Sequence, residues 1–425
     1  MKVIQPLLYA VLISIGIYIG SANNSTNTAV ESKLTNILKI INEHYVDSVQ
    51  RISFENKTIN TILSELDPHS SYISIADFKS VEENMNGSFS GIGVEFNIIS
   101  DSIVVISPIS GGPSEKLGIQ SGDRIVSVED ENVASIGVKN EKVVELLRGK
   151  KGTLVNVKIK RRGQKELISF GIIRNDIPII SVNAGIILQD DIGFIKITRF
   201  AATTYNEMIK KVEKLKIKGM KKLILDFRGN PGGYLHIANQ ICDEFLKDGE
   251  LIVFTEGRNR EKQETFATKK GSLEDIEVIC LIDEGSASAS EIVSGAIQDN
   301  DRGLIIGRRS FGKGLVQEQI RLNDGSVMRL TTQRYYTPSG RCIQKDYGEN
   351  SKEYYLEQYS RTDDNINRDS LKYETKNGRI VYGGGGITPD IVIKLDSNVN
   401  YLSINKMLRK GWINEFCFEK SEKIK

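Results

Sequence analysis

Histidine is nearly missing from this chain. Only His44, His69 and His236 occur in 425 residues. No HExxH pattern exists, which excludes zincin chemistry. A Ser-His-Asp triad would have to recruit one of the three, and none sits in a motif that points that way. His44 lies on an amphipathic helical stretch, His69 follows Asp67-Pro68 in a turn where it can cap the local backbone, and His236 follows Gly232-Gly233 as the one candidate base among them. Cysteine is scarce too. Cys242, Cys280, Cys342 and Cys417 are widely spaced, with no CxxC pair and no neighbouring histidines, so they offer no zinc site, and spacing selects no disulfide pairing. Cys280 falls in the apolar run Glu277-Val-Ile-Cys-Leu-Ile282 and reads as a small buried hydrophobe. Net charge is almost absent: 57 Lys plus Arg against 55 Asp plus Glu leave a formal +2. The basic stretches Arg148–Lys151 and Lys158–Arg162 are short, solvated strand and helix ends, and nucleic acid is not an expected partner. No internal repeat and no Pro-rich linker interrupts the chain.

What is present is the composition of a soluble globular protein, 39% hydrophobic and 26% charged, at a length that suggests two or three domains. At the N-terminus Lys2 precedes an apolar stretch from Val3 to Gly20, broken only by Gln5, Pro6 and Ser14, and the polar run Ser21–Asn27 follows. A positive start, a short apolar core and small residues at Gly20 and Ala22 fit an export signal. The stretch is also just long enough to cross a membrane. The protein is therefore expected outside the cytoplasm, in the periplasm or cell envelope. Residues 1–22 are either a cleaved signal or a retained inner-membrane anchor through residues 3–20, and both readings stay open.

After a linker at 23–30, the spacing of Leu34, Ile37, Leu38 and Ile41, and then of Ile59, Ile62, Leu63 and Leu66, predicts an N-terminal helical region over 31–87. Residues 88–165 read as a compact domain, with strands at Gly91–Phe96, Ser102–Ser107, Arg124–Val128 and Thr153–Lys160 and a helix at Glu141–Leu147. From Ile192 strands and helices alternate, several strands being continuous apolar runs, which predicts an α/β core over 166–395 with both sheet faces covered. A polar tail occupies 396–425, helical at Ile404–Leu408, with self-association through it left open.

Three segments of that core could do chemistry. Asp283-Glu-Gly-Ser286-Ala-Ser288-Ala-Ser290-Glu-Ile292 joins a buried strand to a helix. A serine there meets free N–H groups and a helix dipole that favour a developing oxyanion, although Ser286 or Ser288 could equally be a helix cap. Without histidine, a desolvated lysine can serve as base. Ser310-Phe-Gly-Lys313-Gly-Leu-Val-Gln317 supplies one between glycines, with Gln317 four residues on and on the same face if the segment is a strand. Gly307–Lys313 also matches GxxxxGK, the start of a nucleotide-binding P-loop. Position 314 is glycine where serine or threonine should bind magnesium, and no clear helix follows. Leu225-Asp-Phe-Arg228-Gly-Asn-Pro-Gly232-Gly233 could present backbone N–H groups in a concave turn, or be an ordinary tight turn.

Together these pieces resemble the C-terminal processing, or tail-specific, proteases. The motifs that carry the resemblance are Leu66-Asp-Pro-His-Ser70, Gly122-Asp-Arg-Ile125, Arg228-Gly-Asn-Pro-Gly-Gly233, Gly285-Ser-Ala-Ser-Ala-Ser-Glu-Ile292, Gln298-Asp299, Ser310-Phe-Gly-Lys-Gly314 with Gln317, Tyr335-Tyr-Thr-Pro-Ser-Gly340 and Gly386-Ile-Thr-Pro-Asp390, in that order. The resemblance implies an α/β protease core of crotonase-like type with an inserted PDZ-like domain and an N-terminal helical region. It implies Ser288 as nucleophile, Lys313 as general base and Gln317 orienting the lysine. It also implies an oxyanion hole from the N–H groups of Gly232 and Ala289, and a supporting role for Asp299. Within 88–165 it implies that Gly91, Ile92, Gly93 and Val94 form a loop holding the terminal carboxylate of a protein or peptide tail, whose strand adds to the sheet edge. Apolar C-termini are the implied substrates, no metal or organic cofactor is implied, and a tail bound to the PDZ-like domain is implied to favour the active core. Two other functions remain on the sequence, a non-catalytic adaptor for C-termini and a crotonase-like acyl-CoA enzyme.

Overall fold

The structure is a computed structural model and describes residues 33–268, 271–348, 351–360, 371–395, 399 and 401–423. The expected export segment 1–22 and the linker after it lie outside these residues. The chain forms two units that meet in sequence between Leu66 and Asp67. The first contains the helices Lys33–His44 and Arg51–Ser64, whose apolar residues keep the expected helical spacing. Among the described residues no helix is long and apolar enough to cross a membrane.

The second unit begins with the strand Ser71–Ile73 and the helix Ile75–Asn86. Ser74 caps that helix by accepting the Asp77 N–H at 3.2 Å, and Gly87 ends it at φ 77°, a left-handed conformation glycine adopts without strain. The expected helical region 31–87 is thus divided, its last third belonging to the second unit. Three residues are too few to show a period in sequence, and Ser71–Ile73 pairs with the distant strand Val327–Tyr336.

A five-strand path follows, in the order Val94–Ile99, Ser102–Pro108, Arg124–Val128, Leu154–Lys160 and Ile168–Ile173. Along Leu154–Lys160 alternate residues Val155, Val157 and Ile159 are buried, and Val143 and Leu147 of the helix Asn140–Leu147 close the same core. Ile168–Ile173 pairs along its whole length with Leu154–Lys160, so this domain extends past the expected boundary at 165. The polar Arg161–Glu166 stretch lies in the turn between these two paired strands.

The α/β core is a six-strand sheet. Ile192–Ile197, Lys222–Asp226, Glu277–Ile282 and Gly303–Gly307 run parallel, Val182–Gln189 lies antiparallel at one edge, and the two-residue strand Ile391–Val392 pairs parallel at the other. Crossover helices Thr204–Ile217, Leu235–Asp243 and Ala289–Asp299 cover it, as parallel connections require. Cys280 is a buried free thiol in this sheet, and Leu223, Leu225 and Ile305 share its core. Every residue from Ala289 to Asp299 is buried. That helix contains Ser290, Glu291, Ser294, Gln298 and Asp299, so each of these polar groups needs an internal partner. A second sheet, with Leu251–Gly257, Arg260–Phe266, Leu315–Arg321 and Val327–Tyr336, lies against this core.

Candidate active site

Three adjacent parallel strands deliver the three expected motifs to one edge. The turn from Phe227 to Tyr234 follows Lys222–Asp226, Asp283–Ser288 follows Glu277–Ile282, and Arg308–Gly314 follows Gly303–Gly307. The carboxyl ends of parallel strands are where open α/β sheets place their ligands.

Ser286 is not a helix cap. It is fully buried, its hydroxyl accepts the Asp283 N–H at 3.0 Å and donates to Phe227 O at 2.9 Å, tying the second turn to the first. Ser288 sits at φ 55°, ψ −114°, a region normally left to glycine. Such strain, of order 1–3 kcal/mol, persists only where surrounding structure over-determines it. Its N–H donates to Glu291 Oε2 at 2.7 Å. In the third turn the N–H of Gly312 donates to Glu291 Oε1 at 2.7 Å and that of Lys313 to Glu291 Oε2 at 2.9 Å, and the Ser310 hydroxyl donates to Oε1. One carboxylate therefore collects the backbone of both Ser288 and Lys313. On the opposite side the buried Tyr335 hydroxyl lies within hydrogen-bonding distance of both the Lys313 and the Ser288 carbonyl oxygens.

Lys313 Nζ donates to Gln317 Oε1 at 2.8 Å, and Gln317 Nε2 donates to the His69 carbonyl at 2.7 Å. With its amide nitrogen so engaged, Gln317 can offer only its oxygen to the amine. Ser288, Lys313, Gln317, Gly232 and Gly233 all line one cavity of about 570 Å3. Burial lowers the Lys313 pKa to about 8, helped by the nearby Arg329 charge and opposed by Asp67 and Glu291. Burial raises Glu291 to about 7 against its hydrogen bonds. With four donors aimed at its two oxygens, the carboxylate is the form this geometry serves.

The Gly232-Gly233 turn touches the serine turn directly. Gly232 is at φ 96°, and a methyl group on it would stand 2.8 Å from Ser288 Cβ and 2.9 Å from Ala289 N. The structure differs from expectation in the donor this turn offers. The Gly232 N–H is taken by Asn230 Oδ1 at 2.9 Å, while Asn230 Nδ2 is anchored on Ile197 O. Among the described residues the N–H groups of Ala289 and Gly233 have no acceptor.

Asp299 lies outside the cavity, eleven residues beyond Ser288 on the buried helix, about 16 Å along its axis. Its carboxylate meets Arg341 at 2.6 Å, both side chains being 0% exposed, and accepts the Ser339 N–H and hydroxyl. Asp67, rather than His69, caps its turn, accepting the N–H groups of His69 and Ser70. The His69 ring is 2.8 Å from the Tyr354 hydroxyl and is held neutral, its pKa lowered to about 4 by burial and by Lys313. His236 lines the cavity beside Tyr234, and no hydrogen bond joins it to Ser288. In the five-strand domain the carbonyls of Ile92 and Gly93 are taken by Ser114 and Ile109, and among the described residues the N–H groups of Ile92 and Gly93 have no acceptor. Among the described residues no cluster of three or more His, Cys, Asp or Glu could hold a metal ion.

Residues 191–350 match the model of peptidase family S41, and residues 90–172 match that of the PDZ domain. The carboxy-terminal-processing protease of Bartonella bacilliformis is 37% identical over 330 residues, 76% of this chain and 75% of the relative. The chain belongs to the carboxy-terminal processing proteases. It is a serine peptidase by that membership. The carboxy-terminal processing protease CtpB of Bacillus subtilis is 34% identical over 319 residues, 74% of this chain and 65% of the relative. Among solved structures, a photosystem II D1 C-terminal processing protease is 24% identical, with 85% of this chain and 86% of that chain covered at a TM-score of 0.43.

Three contributors to this candidate site carry no role in the sequence reading. Glu291 stands three residues after Ser288, the capping-box spacing, and as an acid in a helix of small and apolar residues it signals a buried partner. Asn230 and Tyr335 lie inside quoted motifs, but their contacts depend on how distant turns meet, and no local pattern reports that.

Proposed function

We propose that this protease is an endopeptidase that captures unstructured, apolar C-terminal tails of exported proteins on its PDZ domain and cleaves them with a Ser288–Lys313 dyad in the periplasm or cell envelope. The observation that carries the reading is Lys313, desolvated and tied to Gln317 in the cavity it shares with Ser288. Neutral Lys313 takes the proton from Ser288 Oγ as that oxygen attacks the peptide carbonyl carbon. The oxyanion is held by the Ala289 N–H and by the unclaimed N–H of the glycine turn, at Gly233 while Asn230 holds Gly232. The tetrahedral species collapses as the Lys313 ammonium protonates the departing amine. Water then attacks the acyl ester, giving its proton to Lys313, and a carboxylate product leaves with Ser288 restored. Asp299 supports this from a distance by fixing the Thr337–Arg341 turn. In the PDZ domain the Gly91–Val94 loop holds the tail's carboxylate on its free N–H groups while the tail pairs with the sheet edge. Neither the adaptor nor the acyl-CoA reading accounts for a desolvated lysine of lowered pKa in one cavity with a strained serine.

The test is cleavage of an unstructured reporter with an apolar C-terminus by wild type, Ser288→Ala and Lys313→Ala, with an amidated reporter alongside. Loss in both variants and weaker cutting of the amidated tail support the reading. Variants that cut as well as wild type end the catalytic assignment.

A further inference from the structure

Arg329 is a second cation in the same cavity, and nothing in the mechanism uses it. It stands on Val327–Tyr336 opposite Gln319, two residues from Thr331, which pairs with Gln317. That spacing puts its backbone about 7 Å along the strand from the level of the lysine's partner. Arg329 is half-buried and lines the cavity with Gln319 and Met85. Among the described residues its side chain has no ion pair and no hydrogen bond, and no Asp or Glu lines the cavity. Most arginines here that are comparably buried have a partner: Arg148 meets Glu83, Arg308 meets Glu284 and Arg379 meets Asp301. A guanidinium withdrawn from water without an acceptor is unfavourable unless a ligand supplies one. Its planar fork matches a carboxylate with two parallel hydrogen bonds.

We propose that Arg329 is a specificity-determining residue that receives an acidic side chain of the substrate within about two residues of the bond cut at Ser288. The cleft then reads two carboxylates on one chain: the terminal one on the PDZ domain and an internal Asp or Glu beside the dyad. This deepens the endopeptidase reading and rests on it. The juxtaposition also explains why no acid of the protein neutralises Arg329: a resident carboxylate would occupy the subsite.

The experiment uses the full chain and one reporter sequence with an unchanged apolar tail. Glu or Gln is placed in turn at each of the three positions on either side of the cut. The Glu to Gln ratio of kcat/KM is read within each variant, so a general loss of activity cancels. Wild type is expected to favour Glu roughly tenfold at one position, less at high salt. Arg329→Gln should bring the ratio to about one, and Arg329→Glu should favour Lys there. A wild-type ratio near one at every position overturns the proposal, as does a ratio that survives Arg329→Gln. Should Arg329→Gln fail to fold, Arg329→Lys and the salt dependence of the wild-type ratio decide in its place. If wild type cuts neither reporter, the endopeptidase reading falls separately. Anisotropy of labelled Glu and Gln peptides on Ser288→Ala, with and without Arg329→Gln, then reads the preference from binding alone.

Discussion

The base role proposed for Lys313 fixes how cleavage must depend on pH. An ordinary lysine, at 10.5, is neutral in only about 0.03% of molecules at pH 7. With burial and Arg329 lowering Lys313 to about 8, about 9% is neutral there, a gain of about 300-fold in competent enzyme. The acid limb of kcat/KM is therefore expected near pH 8, rising about tenfold per pH unit below it and level above. Glu291, raised to about 7, must be ionised to accept the N–H groups of Ser288 and Lys313. Below about pH 7 the limb should steepen towards two protons. The assay is kcat/KM on a fluorogenic tail reporter from pH 5.5 to 10 at constant ionic strength, with Lys313→Arg alongside, which stays charged and should lose about 10³-fold or more. Gln317→Ala should weaken catalysis without abolishing the limb. A single limb near 6.5, the ordinary imidazole value, would refute the reasoning and give the base role to a histidine such as His236. A profile flat from pH 6 to 9 would refute it equally.

Glu291→Gln turns an amide group towards four donors, and a stability loss of about 2–4 kcal/mol with near-complete loss of cleavage is expected, read by chemical denaturation and the reporter. Asp299→Ala leaves Arg341 charged and buried, so about 3–5 kcal/mol of stability should go while KM of the surviving folded enzyme stays near wild type. Gly232→Ala forces a Cβ to 2.8 Å from Ser288 Cβ at φ 96°, and kcat should fall at least 10²-fold with far-UV circular dichroism unchanged. Lys313 has a folded pKa below its unfolded one, so below about pH 8 the fold carries a charge it disfavours, and that cost disappears as pH rises towards 10.5. Lys313→Met should therefore stabilise the inactive protein at pH 7 by about 1–3 kcal/mol, the gain fading by pH 10.5 in denaturation curves.

The parallel core was legible because its strands are unbroken apolar runs between amphipathic helices, and the pattern follows from burial on both faces. The turns that carry Ser288 and Lys313 were legible as the ends of the strands Glu277–Ile282 and Gly303–Gly307, while the roles proposed for the two residues came from the family resemblance. Of the second sheet only Leu251–Phe254 reads as a strand in sequence. Leu315–Arg321 carries Gln317, Glu318 and Gln319 in succession, and only pairing with Val327–Tyr336 makes it a strand. The engagement of Gly232 by Asn230 was equally hidden, because a backbone donor's partner depends on the turn's conformation and not on residue type. Arg329 looks like any strand arginine in sequence. What distinguishes it is the lack of a neighbouring acid in three dimensions.

The lysine turn is pinned by residues that come much later in the chain. Ile387 N donates to the Ser310 hydroxyl at 2.6 Å, Ser310 N donates to Ile387 O at 3.1 Å, and Gly386 lies so close that a side chain there would strike Ser310. Asp390 then fastens that segment to the sheet edge by accepting the Ile305 N–H. The order of synthesis thus becomes a safety interval. A chain emerging N-terminus first presents its serine and lysine turns well before it presents the segment that pins the lysine turn. Throughout that interval the lysine turn is not yet pinned, and the site takes its final shape only as this late segment docks.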